Sequence, residues 1–555
     1  MPDEGHLQLG TTRHVRRAGR VGRSVVHGLH GMVAASQPLA VQTGIDVLRR
    51  GGNAVDAAIA MNAVLGVVEP MSCGMGGDLF ALVWEARARK LHGVNASGRS
   101  PRAATLSAMR ERGLTELPES GPLSWSVPGA VDGWETLRAR FGTWSLGALL
   151  EPAIAIAQEG FPVSEVAAGM WRASEAELAA SPDGARTYLP GGRAPRIGEI
   201  FRNPDLAASY GEVARGGRDA FYAGRIADEL VAFSRASGGL LDANDLKSTS
   251  STWVEPISTD FRGVRVWELP PPGQGATVLQ MLNLLEAYDL RSLGPESPDW
   301  WHLFVEAKKL AYADRARFLA DPDKSAVPVA ELISKQYAVR RRALIDPRRA
   351  RKSAQPGEPL RGDTVYLAAV DAQRNCVSLI QSIYQHFGSR MVPGKLGFAL
   401  QNRGSQFCLD AAHPNCLAPG KRPFHTIIPA MATRDGAPWF VFGVMGADMQ
   451  PQGQVQVLVN MLDFGMGVQA AGEAPRIEHL GSATPTGRTE VEGGGLVLAE
   501  VGIPERVVAD LERRGHQTAW TERNGGGYQG ILVDPASGAL QGGSEPRADG
   551  CAAGY

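Results

Sequence analysis

Asp363-Thr364 joins a polar stretch to an apolar run that opens with a hydroxyl residue. A threonine at a free N-terminus can work alone. Its hydroxyl is the nucleophile, and its own α-amine, with a reference pKa of about 7.7–8.0, accepts the hydroxyl proton near neutrality. Breaking the peptide bond ahead of Thr364 would create that amine. The stretch Ala350 to Asp363 carries Pro356, Gly357, Pro359 and Gly362 and reads as an accessible loop, the only strong linker in the chain. Against this stands the plain reading of Thr364 as a β-branched strand starter, which the local residues alone favour.

The elements around Thr364 bear on the choice. Thr364-Val-Tyr-Leu-Ala-Ala-Val370 predicts a buried strand, Asp371 to Asn375 a turn, and Cys376 to Ile383 a second strand. A hairpin centred on Gln373 sets Thr364 opposite Ser382, with Cβ atoms roughly 4.5–5.5 Å apart. Ser382 would then orient the amine or hydroxyl of Thr364.

Further blocks follow in order: Phe387-Gly388, Gln401-Asn402-Arg403, Pro419 to Pro423 and Gly443-Val-Met-Gly-Ala447. Upstream lie Gly31 to Pro38, Gly51-Gly-Asn-Ala-Val-Asp-Ala-Ala58, Glu69-Pro70 with Gly74-Met-Gly-Gly-Asp78, and Ser126-Val-Pro-Gly129. Together, from about Gly31 to Arg547, they resemble the γ-glutamyltransferase (glutathione hydrolase) family of N-terminal-nucleophile hydrolases. The resemblance implies a four-layer αββα sandwich, made as one inactive zymogen that cuts itself ahead of the nucleophile. It would yield a large subunit, 1–363, with about 1–30 disordered, and a small subunit, 364–555. Scaling 59.0 kDa by length gives a heterodimer of about 39 and 20 kDa.

Carried over by position, Thr364 matches the nucleophile and Ser382 its supporting hydroxyl. Gly446 and Ala447 match the glycine pair whose N–H groups form the oxyanion hole, with alanine in second place. That change is mild unless the backbone there needs positive φ. Other positions depart from the family pattern. The Asn, Gln and Asp that hold a substrate α-amine are Tyr384, Arg403 and Gln406, so a carboxylate has gone and a cation has entered. The usual serine pair is His425-Thr426. Strict alignment sets Ser97 at the arginine for the α-carboxylate, with Arg99 two residues on; Arg99 reads equally as that partner or as a surface arginine. Arg403 has two open readings as well, a fork for an acyl carboxylate or the partner of a nearby Asp. The segment Phe407 to Arg422 is shorter than in members with a lid, which implies an open pocket.

The resemblance implies cleavage of γ-glutamyl, glutathione-like amides through a threonyl acyl-enzyme, with water or an amine as acceptor. The departures motivate an alternative, an amidohydrolase or acylase for acyl groups without the α-amine, of the oxamate or glutaryl-cephalosporin type. An unprocessed, non-catalytic binding relative is the third reading.

Composition excludes several other classes. A chain of 555 residues with net charge −1 offers no electrostatic case for nucleic acid or an anionic membrane. The basic run Arg13 to Arg20 lacks a following apolar segment, so no signal peptide is expected and the cytoplasm is the default. The five cysteines have no metal spacing and read as reduced thiols, and no His-Glu-x-x-His pattern occurs, so neither metal nor other cofactor is expected. Pro272-Gly-Gln-Gly275 lacks the third glycine of a dinucleotide loop and is rejected as one. Helices are expected after an N-cap at Ser36, closing at Gly51-Gly52, then over Ala54 to Val68, Glu151 to Gly160 and His302 to Leu319. The last would expose Glu306, Lys308 and Asp314.

Overall fold

The computed structural model describes residues 22–352, 364–488, 491, 493–522 and 525–555. Asp363, most of the loop before it and the basic run 13–20 lie outside the described residues.

Two seven-stranded antiparallel sheets stack face to face. The first runs in the order Cys551–Gly554, Met32–Ala35, Val365–Val370, Cys376–Ser382, Asp78–Glu85, Lys90–Ala96, Thr252–Val254. The second runs Val26–Gly28, Leu540–Ser544, Tyr528–Val533, Ala437–Val444, Ala430–Arg434, Val264–Glu268, Ile257–Phe261. Alternation along the strand Val365–Val370 explains the layering. Tyr366, Ala368 and Val370 pack between the sheets with Phe80, Ile380, Met431 and Val441. Val365, Leu367 and Ala369 face the helices Pro38–Arg49, Ala54–Val68 and Leu146–Glu159. Helices Gly275–Leu285, Pro298–Phe318 and Met449–Leu462 cover the far face of the second sheet. A strand with both faces covered reads as a continuous apolar run, as this one does. The result is the expected αββα sandwich.

The hairpin Val365–Ser382 sits inside its sheet, between Met32–Ala35 and Asp78–Glu85. Strands from before and after Thr364 are thus interleaved in one hydrogen-bonded sheet. Ordered structure also begins earlier than residue 30, because Val26–Gly28 pairs with Leu540–Gly542.

Several local expectations need correction. Ala54–Val68 forms as predicted, capped by Asn53, whose side chain accepts from the Val55 and Asp56 N–H groups. Ser36 is no N-cap. Its hydroxyl donates to Glu69 Oε2 at 2.7 Å, and Gln37 caps Pro38–Arg49 through the Leu39 N–H instead. The helix expected from Glu151 already starts at Leu146, because Ser145 caps it. The long helix starts at Pro298, after the Ser297 cap, and Glu306, Lys308 and Asp314, expected at its surface, are buried. It is wedged between Gly275–Leu285 and the layer of Ile477–Leu480 and Glu505–Arg513, which covers the face that periodicity assigns to solvent. Those charges are partnered internally. Glu306 pairs with Lys309 at 3.0 Å, Lys308 donates to Ser482 Oγ at 2.7 Å, and Asp314 meets Arg341 at 3.2 Å.

Candidate active site

Val365 pairs with Gln381 and Tyr366 with Ile380, so the register continues Thr364 onto Ser382. The Thr364 hydroxyl donates to Ser382 Oγ at 3.3 Å, and both side chains are buried. Ser382 Oγ also accepts from the Tyr384 N–H at 2.8 Å. On the other side, Ser382 is the cross-strand partner of Asp78. The turn before Asp78 approaches so closely that a Cβ on Gly77 would lie 2.4 Å from the Ser382 carbonyl oxygen, which is why glycine is needed there.

Past Ser382 the chain leaves the sheet at Tyr384, which takes a positive φ of 79°. Such a conformation in a bulky residue costs about 1–2 kcal/mol and persists only where the surroundings impose it. Here it lays the Tyr384 ring against the Arg403 guanidinium, 4.4 Å from the ring centroid. Arg403 opens a short 3-10 turn, Arg403–Gln406, anchored by Gln401 Nε2 to the Val127 carbonyl at 3.2 Å and by Asn402 Nδ2 to the Glu119 carbonyl at 2.6 Å.

Arg403 is fully buried, and Nη1 donates to Thr426 Oγ1 at 3.0 Å. Its Nε and Nη2 find no acceptor among the described residues, and no carboxylate among them pairs with it. Burial pulls its pKa down to about 10. The second of the two readings of Arg403, pairing with a nearby Asp, is therefore not the arrangement found among the described residues. The nearby candidate, Asp78, is taken by His425 Nε2 at 2.7 Å and by the Gly98 N–H at 2.8 Å. His425 Nδ1 faces the Pro423 carbonyl at 2.7 Å, so both ring nitrogens lie against oxygens. Burial nonetheless lowers the His425 pKa, with the Asp78 bond opposing it. Gln406, on the Arg403 turn, is buried with Nε2 lacking an acceptor. Three buried donor atoms on one turn thus await an anion or polar oxygen.

Gly446 and Ala447 follow the strand Ala437–Val444, in which Gly443 lies against the Tyr366 ring two residues along from Thr364. Neither the Gly446 nor the Ala447 N–H has an acceptor among the described residues. Ala447 has φ of 46°, so the condition under which alanine is not mild applies here. Gln274 Nε2 bridges the Thr426 carbonyl at 2.7 Å and the Ala447 carbonyl at 2.9 Å. An unbroken series of contacts therefore runs from Thr364 through Ser382, Tyr384, Arg403, Thr426 and Gln274 to Ala447.

Arg99 stands apart from this series. It is about a third exposed and held by Asp323 at 2.9 Å and Asp321 at 3.6 Å. Ser97 is spent locally on Asn95 Oδ1 at 2.6 Å. Sequence reading missed Asp78 and Gln274 as site residues. Asp78 closes the block Gly74 to Asp78 that carries part of the family resemblance, and Gln274 lies in the Pro272 to Gly275 loop rejected as a dinucleotide loop; no spacing marks either as a site residue. Away from the site, His302, Glu306 and His516 converge closely enough to hold a metal. Their donors are already paired: His302 Nδ1 with His516 Nε2 at 2.9 Å, and Glu306 with Lys309 and the Arg351 N–H.

The family model described as Gamma-glutamyltranspeptidase matches residues 40–555. The Glutathione hydrolase-like YwrD proenzyme of Bacillus subtilis (strain 168) is 37% identical over 546 residues, spanning 96% of this chain and 100% of that protein. The Acylase ACY 1 proenzyme of Pseudomonas sp. (strain SE83) is 37% identical over 538 residues, spanning 94% of this chain and 93% of that protein. The crystal structure of cephalosporin acylase from Bacillus halodurans superposes with a TM-score of 0.89 at 41% identity, covering 98% of this chain and 99% of that one.

Proposed function

The chain belongs to the gamma-glutamyltranspeptidase family of hydrolases and acyltransferases, and on that premise we propose that it is an acylase for amides whose acyl group carries a carboxylate and no α-amine. One observation carries the reading: the buried Arg403 edge, Nε and Nη2, has no counter-ion among the described residues. That edge matches a carboxylate bidentately. An α-ammonium placed there would meet a like charge, and no carboxylate among the described residues pairs with that edge to offset it. The acylase names of the Pseudomonas and Bacillus halodurans relatives support the same reading.

The chemistry follows from the positions described. Cleavage ahead of Thr364 frees its α-amine, and the proenzyme names of relatives fit such a two-subunit enzyme acting on small amides. The amine takes the Oγ1 proton while Oγ1 attacks the amide carbonyl carbon, with Ser382 orienting the hydroxyl. The carbonyl oxygen, now anionic, accepts from the Gly446 and Ala447 N–H groups. Collapse breaks the C–N bond, and the proton held on the Thr364 amine passes to the leaving amine. Water then attacks the ester carbonyl carbon while the same amine takes its proton; collapse breaks the bond to Oγ1, releases the carboxylic acid and returns the proton to Oγ1.

Matched glutaryl and γ-glutamyl anilides, which differ only in the α-amino group, test this reading. Faster glutaryl release is expected. Faster γ-glutamyl release would overturn the proposal in favour of glutathione-type activity.

A further inference from the structure

The turn that bears the two free N–H groups is gripped by residues that do not reach the Thr364 hydroxyl. Ala447 sits in the left-handed region, which an alanine leaves readily unless it is held. Three side chains hold it and the next residue, Asp448. Gln274, fully buried just ahead of the helix Gly275–Leu285, donates to the Ala447 carbonyl. Arg315, also fully buried, forks onto Asp448, the next residue, at 2.6 and 3.1 Å, and donates to Gln274 Oε1 at 2.7 Å. The Tyr312 hydroxyl donates to the Asp448 carbonyl, and the Arg315 guanidinium stacks over the Tyr312 ring at 3.9 Å. Gln274 Nε2 reaches the Thr426 carbonyl as well, and the Thr426 hydroxyl accepts from Arg403. One amide group therefore ties the turn to the residue beside the acyl-binding arginine.

We propose that Gln274, Arg315 and Tyr312 are positioning residues that hold Ala447 in its left-handed conformation and so aim the Gly446 and Ala447 N–H groups at the reacting oxygen. This rests on the proposed role of those two N–H groups. An Arg–Asp pair with its arginine buried and a buried Gln are also what a purely structural network needs, but such a network has no reason to reach the one residue of this turn whose backbone is strained. Its strain marks what the clamp would be for: glycine at 447 would take the same conformation unaided.

The test uses the full chain and whichever anilide the wild type cleaves faster, with kcat and KM measured separately. Gln274→Ala should lower kcat by roughly 100-fold with KM within about 3-fold, because donors that are misaimed by a small displacement lose what they contribute only in the transition state. Adding Ala447→Gly to Gln274→Ala should recover roughly 10-fold or more of that loss. Arg315→Lys, which keeps a charge beside Asp448 and loses the fork, should show a smaller kcat loss with the same recovery. If Gln274→Ala does not fold, Arg315→Lys decides by the same criteria. Unchanged kcat, a loss carried by KM, or no recovery by Ala447→Gly in a variant that melts as the wild type does would overturn the proposal. A wild type that prefers the γ-glutamyl anilide refutes the acyl reading and leaves these ratios untouched. Flat ratios refute the clamp and leave the acyl preference untouched.

Discussion

Replacing Arg403 separates a substrate contact from a structural one, because its environment makes opposite predictions for stability and for rate. The side chain is fully buried with one hydrogen bond, to Thr426 Oγ1 at 3.0 Å, and one ring beneath it at 4.4 Å. Arg403→Gln leaves no carboxylate orphaned and removes a cation that burial already disfavours. The melting temperature should therefore stay within about 3 °C of wild type. Rate behaves differently. Two charge-assisted hydrogen bonds from Nε and Nη2 to an acyl carboxylate are worth about 1.5–3 kcal/mol each, and about 3–4 kcal/mol as a non-additive pair. At 1.36 kcal/mol per tenfold, kcat/KM for glutaryl anilide should fall by roughly 150- to 900-fold. Pentanoyl anilide, which has the same chain length without the carboxylate, should change by less than about 3-fold. Arg403→Lys should lie between, since it keeps the charge and loses the fork. Steady-state anilide hydrolysis and differential scanning fluorimetry read both quantities. Equal loss on the two substrates, or a melting temperature lower by about 10 °C, would refute the substrate role.

Two further outcomes follow from the same structure. From pH 6 upward, kcat/KM for either anilide should rise through about 7.7–8.0 as the Thr364 amine loses its proton. The glutaryl value alone should fall again above about 10, where Arg403, lowered by burial, gives up its charge. Because the folded value lies below that of the unfolded chain, charged Arg403 opposes folding below about 10, and stability should gain as pH passes above it. A pH series with both anilides and with chemical denaturation checks each sign. Elsewhere, Lys309→Met strands Glu306 in the interior and should cost about 3–5 kcal/mol by denaturant titration, much of it recovered in the double variant with Glu306→Gln. A loss below about 1 kcal/mol would mean that the pair is not held apart from water.

What was legible in the sequence was local or periodic. The strand pair Val365–Val370 and Cys376–Ser382, its register and the helix Ala54–Val68 follow from apolar runs and a turn, and they form as read. Charges on Pro298–Phe318 were misplaced because helical periodicity cannot tell that a second layer covers the polar face; buried partners make such charges tolerable. The site divides the same way. Thr364 and Ser382 are linked by a short hairpin and could be set opposite each other by counting. Asp78 and His425 are joined across 347 residues, and Gln274 reaches Ala447 across 173. No spacing rule reports such contacts, because the two stacked sheets create them. Arg403 shows the limit most plainly: its residue type raised both a substrate and a structural reading, and only the absence of an acceptor for Nε and Nη2 among the described residues favours the first.

The central claim is that Thr364 becomes the N-terminus of a small subunit and carries the acyl group. Intact-mass and N-terminal analysis of the purified protein, before and after a quenched reaction with glutaryl anilide, measures both at once. The account predicts fragments of about 39 and 20 kDa, the smaller beginning at Thr364 and gaining one glutaryl mass on that residue, with Thr364→Ala remaining a single 59.0 kDa chain without adduct. A Thr364→Ala protein that is still cut ahead of residue 364, or an adduct on any other residue, would contradict it.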